Sequence, residues 1–314
     1  MRKISHYILT ATLAAFLALS YAEPIVLYAS QEVMAAPRVI KTDVYGRELD
    51  SRFFFWRNVL YGDLEQALYN KMYASAMAYE TNIPILFDIT PDRALAVFQA
   101  VRNDNPEIFW LENYFLLFLD HYNRVVEIEL VFTVEPDLIP AQRERFRYYA
   151  DSVLAQAMKL NYDGEKVRFI FDLLVYFVEY DLGMISDQSA FGAMVYNRAV
   201  CMGYAMAFTY FMQRLGIPAA TVIGVAGGEY HAWNMVYLGG RYFNLDITWE
   251  ATSGAPAGYS SFNWFLLSDR DLSGHVRDAA CRNFPQATGG TDTLRALMEL
   301  LPARDFSQVN FGRR

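Results

Sequence analysis

The sequence predicts an α+β fold, in which helices pack on antiparallel strands. Apolar residues recur at helical spacing over residues 63–79, 140–160, 167–180 and 201–215. Alternating apolar runs within residues 115–134 and 220–249 are interrupted by short polar or glycine turns, a pattern typical of antiparallel strands. With 54% hydrophobic residues, the 314-residue chain can bury a sizeable core in one large domain or two small ones.

The first half of the chain has its elements in a clear order. Residues 23–50 are an extended lead-in, and a helix follows over residues 63–79. Thr90 and Pro91 open a second helix, because threonine suits an N-cap and proline suits the first turn. A hairpin turns at residues 120–123, with His121 as a solvated turn residue, and an amphipathic helix spans residues 140–160. Residues 161–166 include a glycine and form the predicted domain boundary.

The second half continues with a helix over residues 167–180 and a loop-like segment over residues 187–200. The helix that begins at Cys201 ends before Gly216 and Pro218, because glycine suits a left-handed cap and proline cannot continue a helix. Three strands follow at residues 220–225, 231–238 and 241–249, and a short helical stretch lies around residues 294–301. The predicted division is therefore a signal peptide (1–22), an N-terminal α+β region (23–160), a second domain (161–285) and a tail (286–314).

The N-terminus has the three-part pattern of a secretory signal. Arg2 and Lys3 are positively charged, residues 8–19 are apolar, and residues 20–22 place small side chains where a signal peptidase reads them. We therefore predict cleavage after Ala22 and export of the mature protein, to the medium, the periplasm or the cell envelope. The alternatives are a cut near residues 35–36, or an uncleaved membrane anchor, although the apolar run is short for a bilayer span.

Composition and motifs exclude several classes of function. The net charge is −8 and no basic patch is present, so nucleic acid is not an expected partner. The sequence has no Cys-x-x-Cys pair, no His-x-x-x-His pair and only 4 histidines, so no metal is predicted. Residues 224–228 are glycine-rich but follow a strand without opening a helix, and we interpret them as a loop. No cofactor is predicted.

Cys201 is the candidate nucleophile. It stands at the start of a predicted helix, where the helix dipole favours a thiolate and the unpaired N–H groups of the first turn can donate to an oxyanion. Gly203 keeps that turn uncrowded. Two alternatives remain: a buried structural cysteine, or a disulfide with Cys281, the second cysteine of an exported chain.

The strands around Gly239 and Gly240 indicate the base. A two-residue glycine turn makes Leu238 face Arg241, and the same register puts His231 opposite Thr248. Because side chains alternate along a strand, His231 and Asp246 then share a face as diagonal neighbours. A carboxylate so placed fixes the imidazole and leaves its other nitrogen for the thiol. A purely structural His–Asp pair is the alternative, and a one-residue slip would separate the two.

Four motifs together resemble the transglutaminase-like superfamily: Val200–Ala205, Gly216–Pro218, His231–Asn234 and Asn244–Trp249. The order Cys, His, Asp matches the core of that family. Two flanking segments are similar to bacterial members: Gln188–Ala193 upstream, and Trp264–Asp269 with His275 downstream. The resemblance spans about residues 167–285, and the N-terminal third resembles the family only loosely, around residues 104–110.

The resemblance implies a papain-like core, with the cysteine helix packed on an antiparallel sheet. It also implies that Cys201 is the nucleophile, His231 the base and Asp246 the orienting acid. The remaining residues of the motifs have lesser expected roles: Gln188 assists the oxyanion, Trp233 shields the site, Asn234 is structural, and His275 is a fold feature or a surface residue.

The predicted function is therefore an exported, cysteine-dependent amide or peptide hydrolase or acyl transferase that works through a thioester. Water as acceptor gives a protease or amidase, and an amine gives a cross-link. Bacterial members of the family look more like hydrolases, which favours hydrolysis of a protein or cell-wall peptide. A membrane partner is expected only through an uncleaved N-terminal segment. The alternative is a non-catalytic envelope binding or assembly module that retains the fold.

Overall fold

The computed structural model describes residues 37–183, 188–254, 260–290 and 306–311, together with the backbone of residues 6–10. Contacts divide the chain into two units, one of residues 1–40 and 56–139 and the other of residues 41–55 and 140–314. The division falls one helix before the predicted boundary at residues 161–166. That helix goes with the second unit because Phe146 packs against Phe191 and Tyr210.

The first unit is a four-stranded antiparallel sheet with helices. Its elements are α1 (Phe55–Asn58, which begins at the dividing point), α2 (Gly62–Ala78), α3 (Pro91–Asp104), β1 (His6–Thr10), β2 (Asn82–Pro84), β3 (Leu111–Leu119) and β4 (Val125–Phe132). The sheet order is β1-β3-β4-β2, and the predicted hairpin is its β3–β4 pair. The rings of Phe98 and Phe115 join α3 to the sheet, 4.5 Å apart, and Trp110 Nε1 donates to the Ala76 carbonyl at 3.1 Å.

Strand β1 lies inside the predicted signal sequence. It pairs antiparallel with β3, and the other residues of the predicted signal are outside the described part of the chain. Cleavage after Ala22 and export stay predictions. No helix among the described residues is long and apolar enough to cross a membrane.

The second unit contains a second antiparallel sheet. Its elements are α4 (Ile139–Ala157), α5 (Asp163–Phe177), β5 (Glu179–Tyr180), β6 (Arg198–Ala199), α6 (Cys201–Leu215), β7 (Ala219–Ala226), β8 (Glu229–Leu238), β9 (Arg241–Leu245), α7 (Ile247–Ala251) and β10 (His275–Arg277). The sheet order is β10-β7-β8-β9, and β5 and β6 form a separate parallel pair. The segment predicted as a loop at residues 187–200 contains a π-helical turn over Gly192–Tyr196 as well as β6. The helical stretch predicted around residues 294–301 lies outside the described residues.

Helix α6 has the predicted bounds. Val200 precedes it in an extended conformation, and Gly216 ends it with a φ of 71°. The backbone N–H groups of Gly216 and Ile217 donate to the carbonyls of Gln213 and Met212 in the last turn. Nearly all of the helix is buried, because it packs on β7, β8 and α5. The predicted α+β class, with the cysteine helix on an antiparallel sheet, is thus confirmed.

The hairpin of β8 and β9 has the predicted register, with Leu238 opposite Arg241 and Asn234 opposite Leu245. The predicted length of the second strand was wrong: β9 ends at Leu245, and the expected pairing of His231 with Thr248 does not form. Instead, Asp246 caps the N-terminus of α7, since its Oδ1 accepts the Trp249 backbone N–H at 3.0 Å.

Gly224 belongs to the strand predicted over residues 220–225 and not to the glycine-rich loop predicted over residues 224–228. It lies within β7, where a Cβ would stand 2.1 Å from the Val276 carbonyl oxygen and 2.9 Å from the Trp233 ring. The glycine therefore permits the close approach of β10 to β7. The turn before β8 is formed by Gly227 and Gly228, with φ values of 60° and 90°.

Candidate active site

Cys201 is the first residue of α6 and is partly exposed to solvent. It lies at the end of the helix where backbone N–H groups are not used by helical hydrogen bonds and where the helix dipole is positive. Cys281 is buried, and both cysteines are free thiols, so the alternative of a bridge between them is not realised in the structure. Burial raises the pKa of the Cys281 thiol to about 12.

Asn234 fastens the cysteine helix to the sheet. It lies on β8 with 1% of its surface exposed, and its Nδ2 donates to the Ala205 carbonyl at 2.9 Å and to Thr209 Oγ1 at 3.1 Å. Thr209 of α6 also shares a hydrogen bond of 2.9 Å with Thr221 of β7. These buried hydrogen bonds fix the position of α6, and with it Cys201, relative to β8, the strand that carries His231.

His231 lies between the thiol and the carboxylate. Its Nε2 is 2.7 Å from Asp246 Oδ2, and interaction with Cys201 contributes to the raised pKa of His231. Because Nε2 is engaged by Asp246, Nδ1 is the nitrogen left for the thiol. The side chains of His231 and Asp246 are 8% and 0% exposed. The structure therefore brings the three predicted site residues together. Asp246 is placed there as the N-cap of α7, and not as part of a longer β9.

Hydrogen bonds determine the charge states of His231 and Asp246. Burial favours the neutral form of His231, but its hydrogen bonds to Asp246 and Cys201 outweigh burial and raise its pKa from 6.5 to about 9. Burial likewise acts to raise the pKa of Asp246, while hydrogen bonds from His231 and His275 hold that pKa below its usual value. At neutral pH the pair is thus an imidazolium and a carboxylate.

His275 was missed as part of this site. It was expected to be a fold feature or a surface residue, but its side chain is 0% exposed and its Nε2 lies 3.0 Å from Asp246 Oδ2. The pairing of β10 with β7 places His275 opposite Ala226, on the face of the sheet that carries His231. The signal in the sequence was its occurrence in the downstream motif, because residues 250–274, which precede β10, carry no periodic pattern that indicates a strand of the same sheet.

Three tryptophans enclose the two histidines. The His275 ring centroid is 5.1 Å from Trp233, 4.5 Å from Trp249 and 5.6 Å from Trp264. Trp233 also stacks near the His231 ring at 6.4 Å, a position consistent with its expected shielding role. Trp264 is held there by Glu250, whose buried carboxylate accepts the Trp264 backbone N–H at 3.1 Å.

Two further expectations concern ligands. Gln188 is half-buried in the turn before the π-helical segment, and its role in stabilising an oxyanion stays a prediction. One ligand atom each from His231, Asp246 and His275 lie within 4.8 Å of one another, close enough to share a metal ion. In the structure hydrogen bonds of 2.7 and 3.0 Å link both histidines to the carboxylate, and the prediction that no metal is needed stays a prediction.

Comparison with known proteins finds a family model that matches part of the chain. Residues 149–247 match the family model of the transglutaminase-like superfamily, a range that includes Cys201, His231 and Asp246. Kyphoscoliosis peptidase from Homo sapiens is 30% identical over 135 residues, which are 34% of this chain and 20% of the human protein. The protein of the same name from Mus musculus is 33% identical over 104 residues, 28% of this chain and 16% of the mouse protein. The chain thus spans about a fifth or less of the length of these relatives.

Two solved structures are also similar in part. One is described as a "putative cysteine protease" from Cytophaga hutchinsonii, with 22% identity, a TM-score of 0.31, and coverage of 52% of this chain and 60% of that chain. The other is described as a TGase, with 15% identity, a TM-score of 0.32, and coverage of 59% and 58%. The family match confirms the predicted resemblance to the transglutaminase-like superfamily over residues 149–247.

Proposed function

We propose that this protein is a cysteine-dependent hydrolase or acyl transferase of amide and peptide carbonyls, with Cys201 as nucleophile, His231 as base and Asp246 as orienting acid. The contact of 2.7 Å between His231 Nε2 and Asp246 Oδ2 carries the proposal, and Cys201 contributes to the raised pKa of that histidine. A base held on a thiol and oriented by a carboxylate is the arrangement that activates a nucleophile.

The proposed reaction has two stages. With its proton transferred to His231, the Cys201 thiolate attacks the carbonyl carbon, and the electron pair moves to the carbonyl oxygen, where first-turn N–H groups of α6 can donate. The intermediate collapses to a thioester as the His231 imidazolium gives its proton to the leaving ammonia or amine. His231 then takes a proton from water, which attacks the thioester and releases the acid and the thiolate. An amine in place of water would instead form a new amide.

Hydrolysis is the direction that we favour. The support is the similarity of 135 residues to a human protein named as a peptidase, and the family resemblance of the motifs. The predicted signal sequence suggests a protein or a cell-wall peptide as substrate. These assignments of acceptor, substrate and location are part of the proposal.

Thiol labelling tests the nucleophile. Native protein is treated with iodoacetamide at pH 7.5, and modification of each cysteine is followed by peptide mass spectrometry. Cys201 should react about tenfold or more faster than in the denatured chain, because thiolates are the reactive form. Cys281 should stay unmodified, since it is buried with a pKa of about 12.

Variants sharpen that test. C281S is the matched control and should leave the Cys201 rate unchanged, as should a chelator, whereas H231A should slow it. Labelling of native Cys201 no faster than in the denatured chain would remove the basis of the proposal.

The acceptor is tested separately. Protein is incubated with a glutamine-bearing peptide and a labelled amine, and both ammonia release and amine incorporation are measured. Release without incorporation, absent in C201S, is the expected result. Incorporation that depends on Cys201 would make the protein a cross-linking transferase and overturn the preference for hydrolysis.

A further inference from the structure

The buried carboxylate of Asp246 receives more donors than the orientation of one base requires. Its Oδ2 is 2.7 Å from His231 Nε2 and 3.0 Å from His275 Nε2, and its Oδ1 accepts the Trp249 backbone N–H at 3.0 Å. The Asp246 and His275 side chains are both 0% exposed. A second imidazole therefore shares the oxygen atom that orients His231.

The hydrogen bonds of His275 determine where its protons lie. Nδ1 is 3.0 Å from the Ser273 carbonyl oxygen, which can only accept, so Nδ1 must carry a hydrogen. Nε2 faces the Asp246 carboxylate, which in its ionised form also only accepts. A proton on Asp246 would deprive one of its three donors of an acceptor. Both ring nitrogens of His275 thus face oxygen atoms that act as acceptors.

Aromatic rings surround His275. The rings of Trp233, Trp249 and Trp264 lie 4.5–5.6 Å from the His275 ring, edge-on or tilted to it. The tryptophans also exclude water, which strengthens the interaction of His275 with Asp246.

Few other charges compete for His275. The elements around it carry these titratable or charged groups: Cys201, Tyr204, Tyr210 and Arg214 on α6, the exposed Glu229 with Tyr230, His231 and Tyr237 on β8, Asp246 and Glu250 at α7, and Arg277 on β10. Glu250 is occupied by backbone N–H groups of residues 261, 262 and 264, and Arg277 is paired with Asp269 at 2.7 Å. The charged group that pairs with His275 is therefore the Asp246 carboxylate.

We propose that His275 is a positioning residue of the site: as an imidazolium it clamps the Asp246 carboxylate and limits how firmly that carboxylate holds the proton on His231. The His231 and His275 ring centroids are 5.7 Å apart, so the second positive charge disfavours the first. His231 must both hold and release a proton in the proposed reaction, and a carboxylate shared between two cations eases the release. This inference rests on the proposed function.

The test uses the full chain with isotope-labelled histidine. In the wild type, ring ¹⁵N shifts should show both His275 nitrogens protonated at pH 7. In H275F, which keeps a ring among the tryptophans but has no donor, the pKa of His231 should rise by about one pH unit, the size typical of removing a nearby like charge. H275Q retains a neutral donor, and its His231 pKa should rise as well. H121Q, the same substitution in a surface turn of the first unit, should leave the His231 pKa unchanged.

The outcomes separate the two ideas. A neutral tautomer of His275 in the wild type at pH 7 would overturn the inference without need of any variant. An unchanged His231 pKa in folded H275F or H275Q would do the same, while rapid labelling of wild-type Cys201 would leave the proposed function standing. Slow labelling of wild-type Cys201 would instead contradict the proposed function itself.

Discussion

Replacing Asp246 with asparagine should change how the stability of the protein depends on pH. The pKa of His231 is raised from 6.5 to about 9, because its hydrogen bonds to Asp246 and Cys201 outweigh burial. That difference corresponds to about 3 kcal/mol of interaction with the charged imidazole. Since the folded-state pKa is the higher one, this stabilisation is fully present below pH 6.5 and is lost as the pH rises through about 9.

The asparagine variant isolates the contribution of the carboxylate. Its side-chain oxygen can still cap α7 by accepting the Trp249 N–H, but it carries no charge to hold the His231 proton. Burial of His231 then acts against only the Cys201 contribution. The free energy of unfolding of the wild type should fall by about 3 kcal/mol between pH 6 and pH 10 relative to a form without this pairing. That of D246N should fall clearly less, so the two curves approach each other in alkali.

Urea unfolding at pH 6, 8 and 10, followed by tryptophan fluorescence, measures this difference. The pKa of Asp246 lies below its usual value, so its own titration falls outside this range. D278N is the matched control, because Asp278 also caps a helical turn, by accepting the Ala280 N–H at 2.8 Å. The reasoning is refuted if the slope of stability against pH is the same in D246N as in the wild type.

Two further predictions concern the sheet and the cysteine helix. G224A should lower the free energy of unfolding, measured by thermal unfolding, by about 1–3 kcal/mol, because its methyl group would lie 2.1 Å from the Val276 carbonyl oxygen. G290A, with open space around it, is the control and should have little effect. A stable G224A protein would contradict the close packing of β10. N234A should destabilise the protein by about 1–3 kcal/mol and slow the alkylation of Cys201, since the buried Ala205 carbonyl loses its donor. An unchanged alkylation rate would show that this hydrogen bond does not position the thiol.

Local features of the chain were predicted well. The cysteine helix was bounded correctly because glycine and proline punctuate its end within a few residues. The register of the hairpin followed from a two-glycine turn, since turn length alone determines which residues face each other. The motifs that include Cys201, His231 and Asp246 were sufficient to predict the family that residues 149–247 match.

The errors occurred where distant segments decide local structure. The strand after the glycine turn was extended to Trp249, because Thr248 and Trp249 are typical strand residues. In the folded protein the Asp246 backbone N–H donates to the Trp264 carbonyl at 2.8 Å, and its carboxylate caps α7, so the chain leaves the sheet. Intrinsic preference was overridden by a partner far along the chain.

The sequence by itself determined the candidate nucleophile, the base and the acid, because each lies in a short motif whose spacing and turn chemistry are local. Only the tertiary structure decided that His275 joins them, since β10 reaches the site by pairing with β7 across residues that carry no periodic signal. It also decided the charge of His231, whose pKa of about 9 results from burial opposed by two hydrogen bonds. Such a balance depends on which groups meet in space, and the order of residues does not encode it directly.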